Sequence, residues 1–120
     1  MPRKTRSVLV VDDSEVARTV VVHMIRKDPS FRVRATAHDG LAAIDLADEQ
    51  CPDLIVLDQD MPGPSGLDVL PRLRALCPGA RIVLWANDPA LEALVVPAGG
   101  DGFVNKADPL ERLMDWLRAA

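Results

Sequence analysis

Short apolar runs typical of buried strands alternate along this sequence with longer segments in which apolar residues recur at helical spacing. The strand-like runs are residues 7–11, 31–37, 54–58, 81–85 and 102–105. Helical periodicity covers residues 14–28, 40–49, 65–76, 89–96 and a last segment that begins near residue 108. This alternation predicts an α/β fold, in which a doubly wound parallel sheet is covered by helices on both faces and the crossovers are right-handed.

The length of 120 residues is that of one domain, and we expect residues 1–120 to form one folding unit. Hydrophobic residues make up 48% of the chain and charged residues 27%, which excludes a disordered or collagen-like protein. The apolar runs are far shorter than the ~18 residues of a membrane span, and the sequence shows no signal-peptide core. We therefore expect a cytoplasmic protein without membrane contact.

Charge and cysteine content narrow the function classes further. The net charge is −4, and the one basic stretch, residues 3–6, is expected to be a solvated N-terminal tail, so direct nucleic-acid binding is not indicated. Cys51 and Cys77 form no CxxC pair, and each is followed by a proline. We predict two reduced thiols in a cytosolic protein, in preference to a metal or redox site.

Capping residues predict the ends of the helices. Ser14 and Asp39 are expected to be N-caps, and Asp108-Pro109, with Glu111 as a capping-box acid, predicts the start of the last helix. Pro97 removes a backbone donor near the end of the fourth helix, so that helix should be short. The first helix carries its predicted apolar stripe at Val16, Ala17, Val20, Val21, Met24 and Ile25.

Acidic residues follow two of the predicted strands, and a lysine follows a third. Asp12 and Asp13 come after the first strand, Asp58 ends the third, and Lys106 follows the fifth. Ligand sites in doubly wound sheets form at the carboxyl ends of the strands, near the switch in strand order. Carboxylates gathered there repel one another and favour a hard cation, for which oxygen-only ligands indicate Mg²⁺ rather than zinc.

Such a group of side chains suits phosphoryl chemistry. A carboxylate beside a bound cation can attack a phosphoryl group to form an aspartyl phosphate, and Lys106 can neutralise a phosphoryl oxygen. Each acid taken alone is equally compatible with an ordinary strand-end cap or turn residue. The prediction therefore depends on three acids and one lysine sharing the same edge of the sheet.

Three segments carry a resemblance to a known family. They are VLVVDDSEVAR (residues 8–18), LIVLDQDMPGPSG (54–66) and GGDGFVNKA (99–107). The chain resembles the receiver domains of bacterial two-component response regulators over essentially its whole length, and the D-x-x-M-P-x-x-x-G pattern with an upstream Asp-Asp pair is highly specific. The resemblance implies a CheY-like, flavodoxin-like (βα)5 fold with strand order 2-1-3-4-5.

The resemblance also implies roles for the acids and the lysine. Asp58 would be the phosphoacceptor and a metal ligand, Asp13 a direct Mg²⁺ ligand, and Asp12 a ligand that acts mainly through water. The backbone carbonyl of Asp60 would be a further ligand, and Lys106 would pair with the phosphoryl group. The Asp60 side chain is compatible either with tuning the attack of water on the acyl phosphate or with a solvated loop acid.

The same resemblance assigns neighbouring positions. Met61 and Pro62 would shape the loop after the phosphoacceptor, and Gly66 would allow close packing at the start of the next helix. Ala86 would be the small residue in contact with the phosphoryl group. Phe103 would be the switch aromatic, although its ring has no hydroxyl with which to bond a partner.

Trp85 departs from the family pattern, which has Thr or Ser at the end of the fourth strand. An indole has one N–H donor and no hydroxyl, which excludes the usual inward movement of a hydroxyl towards the phosphoryl oxygen. One interpretation is a packing substitution at the mouth of the crevice with little effect. The other is that phosphorylation and conformational change are uncoupled or rewired, since further departures at Pro97 and Ala107 lie in the same half of the molecule.

Three functions are compatible with these features. The first is a non-enzymatic regulatory domain that accepts a phosphoryl group on Asp58 and slowly loses it, with a sensor histidine kinase or phosphotransfer protein as partner. The second is a pseudo-receiver that does not switch and serves as a docking or dimerisation module. The third is a haloacid-dehalogenase-type phosphatase, which is disfavoured because that family has its Asp-Asp pair downstream and Thr or Val in place of Pro62.

The family analogy extends to association and output. The face made by the fourth helix, the fifth strand and the fifth helix is expected either to bind a partner or to form a homodimer. The segment GDGFVNKADPLERL (residues 100–113) resembles receivers attached to LuxR-type output domains, such as those of NarL-type regulators. A single-domain regulator and a receiver within a longer protein both remain compatible with the sequence.

Overall fold

The computed structural model describes residues 4–120 as a parallel five-stranded sheet between two layers of helices. The strands are β1 (Arg6–Val11), β2 (Phe31–Ala37), β3 (Leu54–Asp58), β4 (Arg81–Ala86) and β5 (Gly102–Asn105). The helices are α1 (Glu15–Arg26), α2 (Gly40–Glu49), α3 (Gly66–Leu76), α4 (Glu92–Val95) and α5 (Glu111–Ala119). Neighbouring strands follow the order β2-β1-β3-β4-β5, which confirms the predicted fold class and strand order.

Each face of the sheet covers its own hydrophobic core, because the central strands are apolar on both faces. Ile55 and Leu57 of β3 point into the core beneath α2, α3 and α4. Leu54 and Val56 alternate with them and point into the core beneath α1 and α5. By the same alternation, Asp58 ends β3 on the α1–α5 side of the sheet.

The predicted N-caps of the first two helices are confirmed. The Ser14 hydroxyl accepts a hydrogen bond from the backbone N–H of Ala17 at 3.2 Å, and α1 begins directly after it. The Asp39 carboxylate accepts from the backbone N–H of Ala42 at 2.7 Å at the start of α2. Both side chains satisfy donors that the first turn of a helix leaves free.

The predicted start of the last helix is wrong. Asp108 lies in a turn, where its backbone N–H donates to the carbonyl of Asn105 at 3.0 Å, and α5 begins only at Glu111. The side chain of Asn105 closes that turn by accepting from the backbone N–H of Ala107 at 2.8 Å. The local turn therefore competes successfully with the Asp-Pro capping signal.

The apolar stripe of α1 is wider than its buried face. Val21 and Ile25 are buried against the sheet, as predicted, whereas 74% of Val16 and 48% of Val20 remain exposed. The prediction was therefore wrong for these two valines. Two neighbouring rows of apolar residues run along the helix, and only one row can face a flat sheet.

The fourth helix is confirmed as short. A 3₁₀ turn at Pro89–Leu91 precedes α4, and α4 itself covers only Glu92–Val95. The Asp88 carboxylate caps the 3₁₀ turn by accepting from the backbone N–H of Ala90 at 2.9 Å. The helix ends before Pro97, whose ring nitrogen has no hydrogen to donate.

The prediction of two reduced thiols is wrong, because Cys51 and Cys77 form a disulfide with a Cα–Cα distance of 5.5 Å. Cys51 lies just after α2, and Cys77 is the C-cap residue of α3. Adjacent helices of a parallel α/β fold end at the same edge of the sheet, so residues 26 positions apart in the sequence become neighbours. This edge is opposite to the one that carries Asp12 and Asp58.

Part of the basic N-terminal stretch, predicted to be a solvated tail, contacts the folded domain instead. Arg3 lies outside the described residues, and Lys4 is exposed. The Arg6 guanidinium donates to the carbonyl of Leu117 at 2.9 Å and to that of Ala120, and it lies 5.1 Å from the centre of the Phe31 ring. Arg6 therefore satisfies carbonyls at the C-terminal end of α5.

Within residues 4–120, no helix combines the length and the apolar composition that crossing a membrane requires.

Candidate functional site

Asp12 is held in place directly after β1 and is fully buried. Its Oδ1 accepts a hydrogen bond from the backbone N–H of Ser14 at 2.9 Å. Its backbone carbonyl accepts from the Arg18 guanidinium at 2.7 Å. The turn that caps α1 thus also fixes the orientation of this carboxylate at the edge of the sheet.

The ends of β1 and β3 bring three carboxylates together. Asp58, the last residue of β3, is 2% exposed, whereas Asp13 faces solvent. One carboxylate oxygen from each of Asp12, Asp13 and Asp58 lies within 4.8 Å of the others. Two of the three acids are thus removed from water, where a carboxylate needs a cation or a donor to remain charged.

Lys106 supplies that cation from the turn after β5. Its Nζ lies 2.8 Å from Oδ1 of Asp58 and 2.9 Å from Oδ2 of Asp12. The lysine side chain is 19% exposed, so the ion pairs are shielded from water. The four residues that the sequence places at strand ends therefore lie in one crevice.

Burial and charge perturb the ionisation of this cluster. Burial raises the pKa of Asp58 to about 6; the hydrogen bond and charge of Lys106 act in the opposite direction, and the charges of Asp12 and Asp13 add to the rise. Burial acts to lower the pKa of Lys106, but the hydrogen bonds and charges of Asp58 and Asp12 outweigh it and raise that pKa. One lysine therefore compensates the three carboxylates only in part.

The donor set fits a hard divalent cation. Its members are carboxylates only, their oxygens are within 4.8 Å of one another, and the exposed Asp13 leaves an open side for water. Mg²⁺ retains several waters and binds through one or two carboxylates, which this open arrangement allows. Burial, with the charges of Asp12 and Asp13, raises the pKa of Asp58, so a second cation beside Lys106 would favour the charged form of this carboxylate.

Trp85 also lies at this crevice, on the face of the sheet that packs against α1 and α5. It pairs in register with Asp58 on one side and Val104 on the other, and only 8% of it is exposed. Its ring packs in the core beneath α1 and α5. The Lys106 Nζ lies 4.6 Å from the centre of the indole ring, within the range of a cation–π contact.

Phe103 faces the opposite side of the sheet from Trp85. It pairs in register with Leu84 and packs, half-buried, against the core beneath α2, α3 and α4. The two residues assigned to the switch by the family resemblance therefore lie on different faces. Ala86, the last residue of β4, is buried on the same face as Phe103, and its carbonyl accepts from the backbone N–H of Lys106 at 2.9 Å.

The loop after β3 brings α3 close to Asp58. Asp60 and Pro62 are exposed, and Met61 is half-buried against the core beneath α2, α3 and α4. A Cβ added to Gly66 would lie 2.3 Å from the backbone carbonyl oxygen of Asp58, which is far inside contact distance. A larger residue at this position would force the start of α3 away from β3.

Comparison with known proteins identifies the family. A model described as the response regulator receiver domain matches residues 8–118. This chain belongs to that family. It is 38% identical to the nitrate/nitrite response regulator protein NarP of Escherichia coli, over 99% of this chain and 57% of that protein. It is 33% identical to the chemotaxis protein CheY of Listeria monocytogenes, over 93% of this chain and 95% of that protein.

Solved structures agree with this assignment. A LuxR-family two-component response regulator from Aurantimonas superimposes with a TM-score of 0.90 at 29% identity, covering 97% of this chain and 84% of that one. The response regulator domain of Thermotoga maritima CheB gives a TM-score of 0.88 at 28% identity, covering 98% and 96%. This receiver domain spans about half the length of the first curated relatives it matches, at 57%, 48% and 54%.

Several residues that hold the site in position were not predicted from the sequence. The Gln59 side chain accepts from the backbone N–H of Leu67 at 2.8 Å and so ties the loop to α3. Gly63 has a φ of 76°, a conformation that favours glycine, and the dipeptide Pro62-Gly63, to which it belongs, is a turn signal that indicates this. The contact of Arg18 with the Asp12 carbonyl has no local signal, because it depends on how α1 lies beside β1.

Proposed function

We propose that this receiver domain accepts a phosphoryl group on Asp58 from the phosphohistidine of a sensor histidine kinase or phosphotransfer protein. One observation carries the proposal: the buried Asp58 carboxylate lies 2.8 Å from the Lys106 ammonium and within 4.8 Å of oxygens of Asp12 and Asp13. An ordinary strand-end cap needs neither a buried lysine nor two further acids. The domain is a signalling module, and its chemistry is confined to its own aspartate.

In the transfer step, a carboxylate oxygen of Asp58 attacks the phosphorus of the donor. The new O–P bond forms as the P–N bond to the donor imidazole breaks, and the electron pair of that bond stays on the ring. Lys106 already lies at Asp58 and donates to the phosphoryl oxygens as charge moves onto them. A donor fixed before the reaction needs no reorganisation during it.

The acids around Asp58 form the proposed metal site. Asp13 would bind Mg²⁺ directly, Asp12 mainly through water, and Asp58 and the backbone carbonyl of Asp60 would complete the protein ligands. When bound, the ion neutralises the acids and polarises the phosphoryl oxygens. Arg18 keeps the Asp12 backbone in position, and the Ser14 N–H holds one oxygen of its carboxylate.

The remaining residues would shape the phosphoryl pocket. Ala86 would border the phosphoryl group, where its small side chain leaves space, and Met61 and Pro62 would hold the loop. The close approach at Gly66 would keep the start of α3, and thus this loop, against Asp58. The Asp60 side chain is exposed, and we assign it no role in the transfer beyond its backbone carbonyl.

The signal would leave through the face formed by α4, β5 and α5. A groove of about 610 Å³ lies there, lined among others by Phe103, Asn105, Glu92 and Arg112. This face would bind a partner or a second copy of the chain. Because Trp85 replaces the hydroxyl of the family and Phe103 has no hydroxyl with which to bond a partner, we propose that coupling between the crevice and this face is weak.

A constitutive docking or dimerisation module is the second candidate, and one observation favours it. Trp85 is buried and packed where the family has a small mobile hydroxyl side chain, which removes the usual conformational relay. A docking module makes no use of the Asp12, Asp58 and Lys106 cluster, however, and two buried carboxylates beside a half-buried lysine are costly to keep without a function. We therefore rank it second.

Incubation with Mg²⁺ and acetyl phosphate, followed by intact-mass measurement, tests the proposal. We expect one phosphoryl adduct on the parent protein, and loss of the adduct with a chelator or in Asp58→Asn. Asp60→Asn is the matched control, because it removes a nearby exposed carboxylate and should keep the adduct. Turnover of a small phosphate ester in the same tube would instead indicate a phosphatase, and a parent without any adduct would favour the docking module.

A further inference from the structure

The indole of Trp85 has a fixed orientation beneath the crevice. Its neighbours in register, Asp58 and Val104, lie on adjacent strands, so its backbone is held on both sides by the sheet. The residue is 8% exposed and packs among the buried side chains beneath α1 and α5. A ring held in this way presents one face at a constant position.

Lys106 lies between that ring and the acids. Its Nζ is 4.6 Å from the ring centre, 2.8 Å from Asp58 and 2.9 Å from Asp12. A lysine side chain is flexible, with four rotatable bonds, so two carboxylates at its tip do not by themselves fix its stem. The negative face of an indole attracts an ammonium group and is the strongest such surface among the aromatic side chains.

We propose that Trp85 is a positioning residue for phosphoryl transfer, whose indole face holds the Lys106 ammonium against Asp58 and Asp12. This inference rests on the proposed function of Asp58. It gives a positive reason for the residue that departs from the family pattern: the hydroxyl is replaced by a surface that keeps the lysine in place. Trp85 itself would touch neither the donor nor the phosphoryl group.

The first test is independent of phosphorylation. An indole ring shifts the NMR signals of protons above its face, so the ε-methylene signals of Lys106 should lie upfield of those of the exposed Lys4 and Lys27. Trp85→Leu should remove this shift, and Trp85→Phe should keep part of it. Trp116→Leu is the matched control, since it removes the other indole of the chain and should leave the shift intact. An unshifted Lys106 signal in the parent protein overturns the proposal.

The second test measures the rate of phosphoryl uptake from acetyl phosphate in a double-mutant cycle. Trp85→Leu should lower the rate by about tenfold when Lys106 is present, in keeping with the strength of a shielded cation–π contact. In a Lys106→Met background, Trp85→Leu should leave the rate of phosphoryl uptake unchanged. Uptake in this background is followed over a longer incubation. Trp85→Phe keeps a ring and most of the volume, so it should fall between the parent and Trp85→Leu even if the leucine variant folds poorly.

The outcomes separate this inference from the proposed function. Equal loss of rate in both backgrounds would mean that Trp85 acts only through packing, which overturns the positioning role and leaves Asp58 as phosphoacceptor. A parent protein that takes up no phosphoryl group would overturn both. Loss confined to the background that retains Lys106, together with the upfield lysine signals, would establish the positioning role.

Discussion

Two halves of this receiver domain are built differently. We call them the crevice half, which holds Asp12, Asp13, Asp58 and Lys106, and the relay half, which comprises β4, α4, β5 and α5. In the crevice, Asp12 and Asp58 are at most 2% exposed, and Lys106 lies within 2.9 Å of both. In the relay half, α4 is a single turn of four residues. The two positions that the family uses for its switch, Trp85 and Phe103, lie on opposite faces of the sheet.

Under the proposed function, accepting a phosphoryl group and transmitting its presence are separate physical tasks. Acceptance requires charged groups to converge at the ends of neighbouring strands, which the parallel sheet provides. Transmission requires a segment with two packed arrangements of similar free energy. The large, buried indole of Trp85 is already packed and stabilises one arrangement. We therefore expect the domain to accept a phosphoryl group without strongly transmitting its presence to the face formed by α4, β5 and α5.

The largest effect is expected from Lys106→Met in the crevice. Removing a donor that is positioned for the developing charge should lower the rate of phosphoryl uptake by about 10²–10³-fold. Intact-mass time courses with acetyl phosphate and Mg²⁺ measure this rate. Lys27→Met, at the exposed end of α1, should be unchanged. If Lys106→Met lowers the rate of phosphoryl uptake by less than threefold, the lysine does not contribute to the chemistry of the crevice as proposed.

Reduction of the disulfide should affect stability and not chemistry. The Cys51–Cys77 bond joins residues that are 26 positions apart, so its reduction should lower the free energy of unfolding by about 3.5 kcal/mol. Urea denaturation with and without a reductant measures the change, and the double variant Cys51→Ser/Cys77→Ser should show no response to reductant. Because the bond lies at the edge opposite Asp58, phosphoryl uptake should be the same in both forms, and a redox-dependent rate would contradict this separation.

Asp58→Asn should stabilise the metal-free protein. Burial raises the folded-state pKa of Asp58 from 3.8 to about 6, so its charged form weakens folding above pH 6, and this penalty fades as the pH falls from 6 to 4. We expect a gain of about 2 kcal/mol at pH 8 in the presence of a chelator, and almost none at pH 4. Denaturant titrations at the two pH values measure it.

The exposed Asp60 provides the control for that measurement, because Asp60→Asn should change the free energy of unfolding by less than about 0.5 kcal/mol at either pH. A stability gain for Asp58→Asn that is the same at pH 4 and pH 8 would show that ionisation of the buried carboxylate is not its cause.

The smallest effect concerns the cation. At a Mg²⁺ concentration tenfold above the dissociation constant, the parent should gain about 1.4 kcal/mol of stability. Asp13→Ala should lose this gain, since Asp13 is the proposed direct ligand. Asp60→Ala should retain it, because only the backbone carbonyl of Asp60 is assigned to the ion. Thermal unfolding at several Mg²⁺ concentrations compares the three proteins, and an unaltered response in Asp13→Ala would place the ion elsewhere.

Sequence reasoning succeeded where a residue's surroundings follow from strand periodicity. Asp12 and Lys106 each stand directly after a predicted strand and Asp58 ends one, and parallel strands end at one edge, so their convergence could be inferred. It failed where the outcome depends on how separate elements pack. The disulfide of Cys51 and Cys77 needed the positions of two helix ends, and the contact of Trp85 with Lys106 needed the path of the lysine stem.

Competition between local signals explains another error. Asp108-Pro109 is a good helix start on its own, yet the turn closed by Asn105 displaces the start of α5 to Glu111. Burial was also predicted wrongly for the second apolar row of α1, because Val16 fits a helical stripe and still faces solvent. Position relative to the sheet, rather than apolar character, decided the exposure of Val16.

Backbone amide NMR spectra with and without Mg²⁺ and beryllofluoride, a phosphoryl mimic, test the contrast between the two halves most directly. The account predicts large shifts for Asp13, Asp58 and Lys106 and for the indole N–H of Trp85, with the amides of α4 (Glu92–Val95) nearly unmoved. Shifts in α4 as large as those in the crevice would contradict the account, because they would mean that the relay works without its hydroxyl.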